Sequence, residues 1–134
     1  MRSPVLVRGF LVWLVLMVAE FAHGVARALW LVPVVGDFPS RQIGVLTGTI
    51  INATVAVLCI RWIRPCRVSE AIGVGLEWIV LTVTFEVVFG RRVVHASWAR
   101  LWSDYDLRRG GFLGVGLVAL ALLPLFAARV RRVL

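Results

Sequence analysis

The chain alternates between long apolar blocks and short charged ones. Residues 9–19, 28–36, 42–60 and 110–128 carry no charge at all. A helix of ~19 residues is ~28 Å long, close to the ~30 Å of a bilayer's hydrocarbon core. The pattern predicts four membrane-crossing helices, at about residues 4–32, 43–62, 70–90 and 111–127. Pro33 and Gly36 end the first, and Pro39 is placed to open the second. Gly44 and Gly48 follow at four-residue spacing, with Asn52 on the same face, a pattern that lets helix backbones approach closely in a membrane.

Residues 91–109 break the pattern. Val94, Trp98, Leu101, Trp102 and Tyr105 recur on one helical face, opposed by Arg92, Arg100, Ser103 and Asp104. That distribution predicts an amphipathic segment in the membrane interface, ahead of the last helix. The last helix is approached through Gly110, Gly111, Gly114 and Gly116, and Pro124 is placed to kink it.

One unit is written twice. Asp37, Phe38, Arg41, Gly44 and Leu46 reappear, at the same spacing, as Asp104, Tyr105, Arg108, Gly111 and Leu113. Upstream of each copy stands a glutamate with a glycine four residues on: Glu20 with Gly24, and Glu86 with Gly90. The glutamates are 66 residues apart and the aspartates 67. The expected fold is therefore an all-α integral membrane protein in a single domain, residues 1–134. Its four helices form two tandem parallel two-helix repeats, about 4–64 and 70–132. An even number of crossings per unit implies a pseudo-two-fold along the membrane normal. In each motif, Asp at a helix start suits the dipole and Arg four residues on can pair with it.

Composition agrees with this picture. The 134 residues are 60% hydrophobic, with a mean hydropathy of +0.92. All fifteen basic residues are Arg, and the net charge is +8. In a soluble chain that charge would suggest nucleic acid. Here the arginines flank helices, so no nucleic-acid partner is expected. Arg2, Arg8, Arg61, Arg64, Arg67, Arg129, Arg131 and Arg132 fall on one side, against seven arginines and all three aspartates on the other. The bias favours the inner (cytoplasmic) membrane with both termini in the cytoplasm. The basic start and first apolar run also resemble a signal peptide. The match of Glu20 to Glu86 argues against cleavage there.

The candidate chemistry lies in the membrane. Glu20, His23 and Arg27 share one helical face. Glu20 stands ~18 Å along the helix from Arg8 and ~10 Å from Arg27, inside the hydrocarbon. A charge there costs at least ~2.5 kcal/mol unless paired, protonated or wetted. Glu86 has no basic residue at i+3 or i+4, so its partner must come from another helix. Asn52 and Thr54 are expected beside Glu20, and Arg41 and Arg108 beside both glutamates. Glu77, nine residues before Glu86, faces the opposite way.

Two carboxylates sharing a low-dielectric site compete for one proton, which suits proton or cation coupling. The competing explanation is a static buried ion pair that fixes helix register. The two histidines, His23 and His95, differ in depth by ~9 Å relative to their glutamates, which is against a shared haem. Cys59 and Cys66 read as free thiols. No Walker loop, metal triad or Ser-His-Asp set is readable, so neither a cofactor, a metal nor enzymatic catalysis is expected.

The functional expectation is a small proton- or ion-coupled transport or channel subunit using Glu20, Glu86, His23 and Asn52. It would work in the lipid bilayer as a homo-oligomer, packed through Gly44/Gly48 and Gly110/Gly114. The alternative is a non-catalytic structural or assembly subunit of a larger membrane complex, docking through the same glycines and the aromatic segment 98–105.

Overall fold

The computed structural model describes residues 3–134; Arg2, counted above among the arginines of the terminal side, lies outside them. Four helices are long and apolar enough to cross a membrane: α1 (Ser3–Val35), α2 (Asp37–Ile63), α3 (Val68–Arg92) and α5 (Leu113–Val130). A short helix, α4 (Trp98–Ser103), precedes the last.

Local chemistry explains the boundaries. Helix α1 runs through Pro33 instead of stopping there. A proline ring collides with the carbonyl four residues back, and a π-helical turn at Arg27–Leu31 re-registers the backbone at that point. The break comes at Gly36, whose φ of 90° only glycine adopts freely. Helix α2 starts directly at Asp37, so Pro39 lies within the first turn, where its missing N–H has no helical partner to lose. Asp37 is thus a first-turn carboxylate and Gly36 the cap residue. Arg64, in the left-handed region at φ 54°, closes α2, and Pro65 follows. At the start of α3, Glu70 accepts a hydrogen bond from the Cys66 N–H at 2.9 Å.

Helix α1 packs against α2 and α3, and α5 packs against the same two, giving the ring order α1–α2–α5–α3. Both termini lie on one side. Consecutive helices form two tandem hairpins, α1/α2 and α3/α5. The helices that the sequence repeat equates, α1 with α3 and α2 with α5, are neighbours in this ring. A two-fold along the bundle axis would put them on opposite corners, so the contacts do not follow that symmetry.

The buried core fills the terminal half of the bundle. Leu16, Ile60, Ile63, Val74 and Trp78 are sealed from solvent there, together with Ala127. Each indole has an acceptor: Trp78 donates to the Gly9 carbonyl at 2.9 Å, and Trp13 donates to Thr82 Oγ1 at 3.0 Å. Gly75 lets α3 and α5 touch, because a Cβ there would strike the Ala121 carbonyl.

The segment 93–112 is not one amphipathic helix. It is a turn, the helix α4 capped by Ser97, and a 3-10 turn at Leu107–Arg109. Trp98 and Trp102 project outward, 60% and 68% exposed, while Leu101 fills the space left by Gly90. Asp104 and Tyr105 turn inward, so the segment folds back over the end of the bundle as a cap. His95, at φ 58°, sits in the turn that starts it.

Candidate functional site

Beneath the cap the four long helices diverge around a cavity of about 520 Å³. Leu16, Thr82 and Leu120 line its floor side, next to the packed core. Glu20, Glu86, Asn52 and Thr49 line its interior, and Arg41, Arg100 and Asp104 its roof. The two glutamates that the sequence pairs thus open into one space, and their charges feel each other. Glu86, which also lies in the field of Arg27 and Asp104, is accessible from the cavity. Glu20 Oε1 and Asn52 Oδ1 are buried without a hydrogen-bond partner among the described residues.

The glycines of α2 make room for the polar face of α1. A Cβ at Gly48 would stand 3.0 Å from Glu20 Oε2, and one at Gly44 3.1 Å from Arg27 Cδ. The Gly44/Gly48 face therefore holds side chains of this chain and is not free for another copy. Gly110 serves the cap instead. At φ 84° it closes the 3-10 turn, and its carbonyl accepts from Gln42 Nε2 at 2.8 Å. A Cβ at Gly114 would meet nothing within 4 Å. Gly110 and Gly114 do not form a packing face in this chain.

His23 bridges α1 to α2. Its Nε2 lies 2.6 Å from Thr47 Oγ1, and its Nδ1 lies 3.7 Å from Glu20 Oε2. Thr47 Oγ1 is itself 3.2 Å from the Ile43 carbonyl and can donate only one proton. If that proton goes to the carbonyl, the hydroxyl accepts from Nε2–H, and the Nδ1 lone pair faces Glu20. That contact becomes attractive only when a proton sits on Glu20 or on Nδ1, because a bare carboxylate and a bare ring nitrogen both only accept.

Above this level the arginines are occupied. Arg41 pairs with Asp37 at 3.2 Å and with Asp104 at 2.5 Å. Arg27 donates to Ser40 Oγ at 2.8 Å and stands 3.9 Å from Asp37, which Arg100 approaches at 3.6 Å. Burial pushes the Asp104 carboxyl above its ordinary range, although Arg41 and Arg100 pull it down. Burial, with Glu86 and Asp104 nearby, likewise raises the Tyr105 phenol.

Several expectations need correction. Arg41 meets the two aspartates, not the glutamates. Arg108 is exposed on the outside, and its backbone N–H bonds Asp106 Oδ1. Asp104 therefore pairs across helices with Arg41, because the second motif copy is a turn and cannot bring i and i+4 together. Thr54 lies on the outer face and donates to the Ile50 carbonyl. Thr47 and Thr49 take its expected place.

Sequence reasoning also missed Ser40, Gln42, Arg100 and the phenylalanines of the cavity wall. Ser40 and Gln42 sit within the motif itself, one on each side of Arg41, and could have been found there. Glu77 points away from the cavity as expected, against Gly9, with its Oε1 buried and unpartnered among the described residues.

No protein-family model matches the chain, and no curated protein or solved structure resembles it.

Proposed function

We propose that this small multi-pass membrane protein is a transport subunit that couples proton movement to a cation through Glu20 and Glu86. The observation that carries this reading is the shared cavity, in which, among the described residues, neither carboxylate forms an ion pair with an arginine and two polar oxygens have no hydrogen-bond partner. A static ion pair would hold the glutamates against arginines, but Arg27, Arg41 and Arg100 turn to Asp37, Ser40 and Asp104.

In this reading one proton is shared between the two carboxylates. A cation entering the cavity displaces it. His23 takes the proton at Nδ1 while Thr47 holds Nε2–H, so the proton has a route out of the membrane interior along α1. Asn52 supplies a neutral oxygen to whichever positive charge is present. The subunit works in the inner membrane with both termini in the cytoplasm. It works as an oligomer, since four helices are few to enclose a pathway of their own. The exposed Trp98 and Trp102 support a second reading, in which the cap docks on another subunit of a larger complex.

Vesicles loaded with a pH-sensitive dye and reconstituted with the purified protein test the first reading. Under an imposed outward gradient of a monovalent cation, the wild type acidifies the lumen as protons enter in exchange. Glu20→Gln and Glu86→Gln each abolish the signal while their thermal unfolding stays close to wild type. Equal acidification in both variants contradicts the reading.

A further inference from the structure

We infer that the cation taken by this cavity is a lipophilic organic one, drawn laterally from the membrane between α1 and α3. The inference rests on the reading that Glu20 and Glu86 are the coupling site, and it names their ligand.

Charge comes first. The cavity is lined by Glu20, Glu86, Asp104, Arg27, Arg41 and Arg100. Arg27, Arg41 and Arg100 pair with Asp37, Asp104 and the neutral Ser40 hydroxyl. With Glu20 and Glu86 added, four carboxylates stand against three arginines, so one positive charge, a proton or a monovalent cation, neutralises the set.

Size comes second. A dehydrated inorganic cation needs a tight shell of oxygens, about six for Mg²⁺ and six to eight for Ca²⁺, at ~2–2.6 Å. This space, at about 520 Å³, falls among cavities that hold drug-sized molecules. Its oxygens are spread over three helices: Glu20 on α1, Thr49 and Asn52 on α2, Thr82 and Glu86 on α3.

The wall comes third. Phe21, Phe85 and Phe89 line the cavity beside the glutamates. Phe85 stacks on Phe89 with centroids 5.4 Å apart, and Phe21 meets Phe89 edge-on at 6.3 Å. Ring faces next to carboxylates favour a cation with an apolar body.

The same rings mark the opening. Phe21 belongs to α1 and Phe85 to α3, and both are exposed on the outer surface, 58% and 38%, while also lining the interior. Rotation of these part-exposed rings about their side-chain bonds opens a path from the acyl chains to Glu86. Binding of one monovalent cation releases one proton from the carboxyl pair. The exchange then leaves the cavity's charge unchanged, which keeps the loaded and the protonated states equally tolerable in hydrocarbon.

The probe is tetraphenylphosphonium, added to the full-length protein in detergent and followed by equilibrium dialysis and by proton release in weak buffer. Tetraphenylborate, of the same shape and opposite charge, is the control, with sodium as competitor. The expected result is saturable binding of the phosphonium with one proton released per cation. Affinity falls at least tenfold in Glu20→Gln and in Glu86→Gln, and about three- to tenfold in Phe85→Leu and Phe89→Leu. Sodium does not compete, and tetraphenylborate does not bind.

Phosphonium binding that is absent, or unchanged in the glutamine variants, overturns the inference, as does equal binding of tetraphenylborate. If that happens while vesicle acidification still depends on the glutamates, only the organic cation falls and the coupling site stands. If acidification is independent of the glutamates as well, both fall.

Discussion

The two halves of this bundle are built from the same four helices and differ in almost every physical respect. On the terminal side, Trp13, Trp78, Ile60 and Leu123 interlock, both indole N–H groups are satisfied, and Gly75 brings α3 against α5. On the cap side, glycines on α2 make room for a cavity in which Glu20 and Asn52 each keep an oxygen without a hydrogen-bond partner among the described residues. The Trp13–Thr82 hydrogen bond lies between them. The difference shows how a small membrane protein can keep charged groups inside it. One half supplies the packing that fixes the helices, and the other can then carry groups that destabilise it.

The largest effect is expected where the packed half is broken. Gly75→Val drives a side chain into the Ala121 carbonyl, an overpacking that destabilises by about 3 kcal/mol. Thermal unfolding in detergent should show a large drop or no folded protein; a wild-type transition would mean that α3 and α5 do not touch there.

Next is the boundary. Thr82→Val keeps the shape and removes the acceptor for the buried Trp13 N–H, at about 1–3 kcal/mol. The Trp13 fluorescence maximum should shift along with the unfolding midpoint.

Changes in the hollow half should do the reverse, harming function and sparing stability. Gly48→Ala places a methyl against the Glu20 carboxylate and forces it to move. Its unfolding should stay within about 1 kcal/mol of wild type while vesicle acidification is lost. If both survive, Glu20 does not need its present position. Arg41→Gln removes the link between Asp37 and Asp104, for about 1 kcal/mol at most in a partly open ion lattice. It should loosen the cap, seen as faster amide hydrogen exchange across residues 98–111.

The smallest effect is the pH dependence of the cap. The folded Asp104 holds its proton more tightly than the unfolded chain does. Its contribution is therefore present below the ordinary value of 3.8 and is lost as pH rises through the raised folded value. Asp104→Asn should flatten that part of the stability-against-pH curve; an unchanged slope would assign it to another group.

How much of this was legible in the sequence depends on the kind of signal. The four spans follow from charge-free blocks, because a bilayer enforces length and composition directly. The sequence puts Glu20 and Glu86 at similar depth, 17 and 18 residues before Asp37 and Asp104. That they line one space comes from α1 and α3 being neighbours, which the expected two-fold would not give. The partners of Arg41 were not. Pairing at i and i+4 assumes a helix, and at Asp104 the chain turns, so the carboxylate is free to reach α2. Small-residue spacing marked Gly44 and Gly48 correctly as a close approach, but spacing does not say whether a backbone or a buried glutamate fills the gap. The ring order was beyond any periodicity, because it is decided by which apolar faces fit each other across helices.

The central claim is that Glu20 and Glu86 act on one proton in one cavity. Infrared difference spectroscopy of the carboxyl stretch across pH, on purified wild type, Glu20→Gln and Glu86→Gln, tests it most directly. The account predicts a single shared titration that disappears or moves in either variant. Two carboxyl signals that titrate independently, each unchanged when the other residue is replaced, would contradict it.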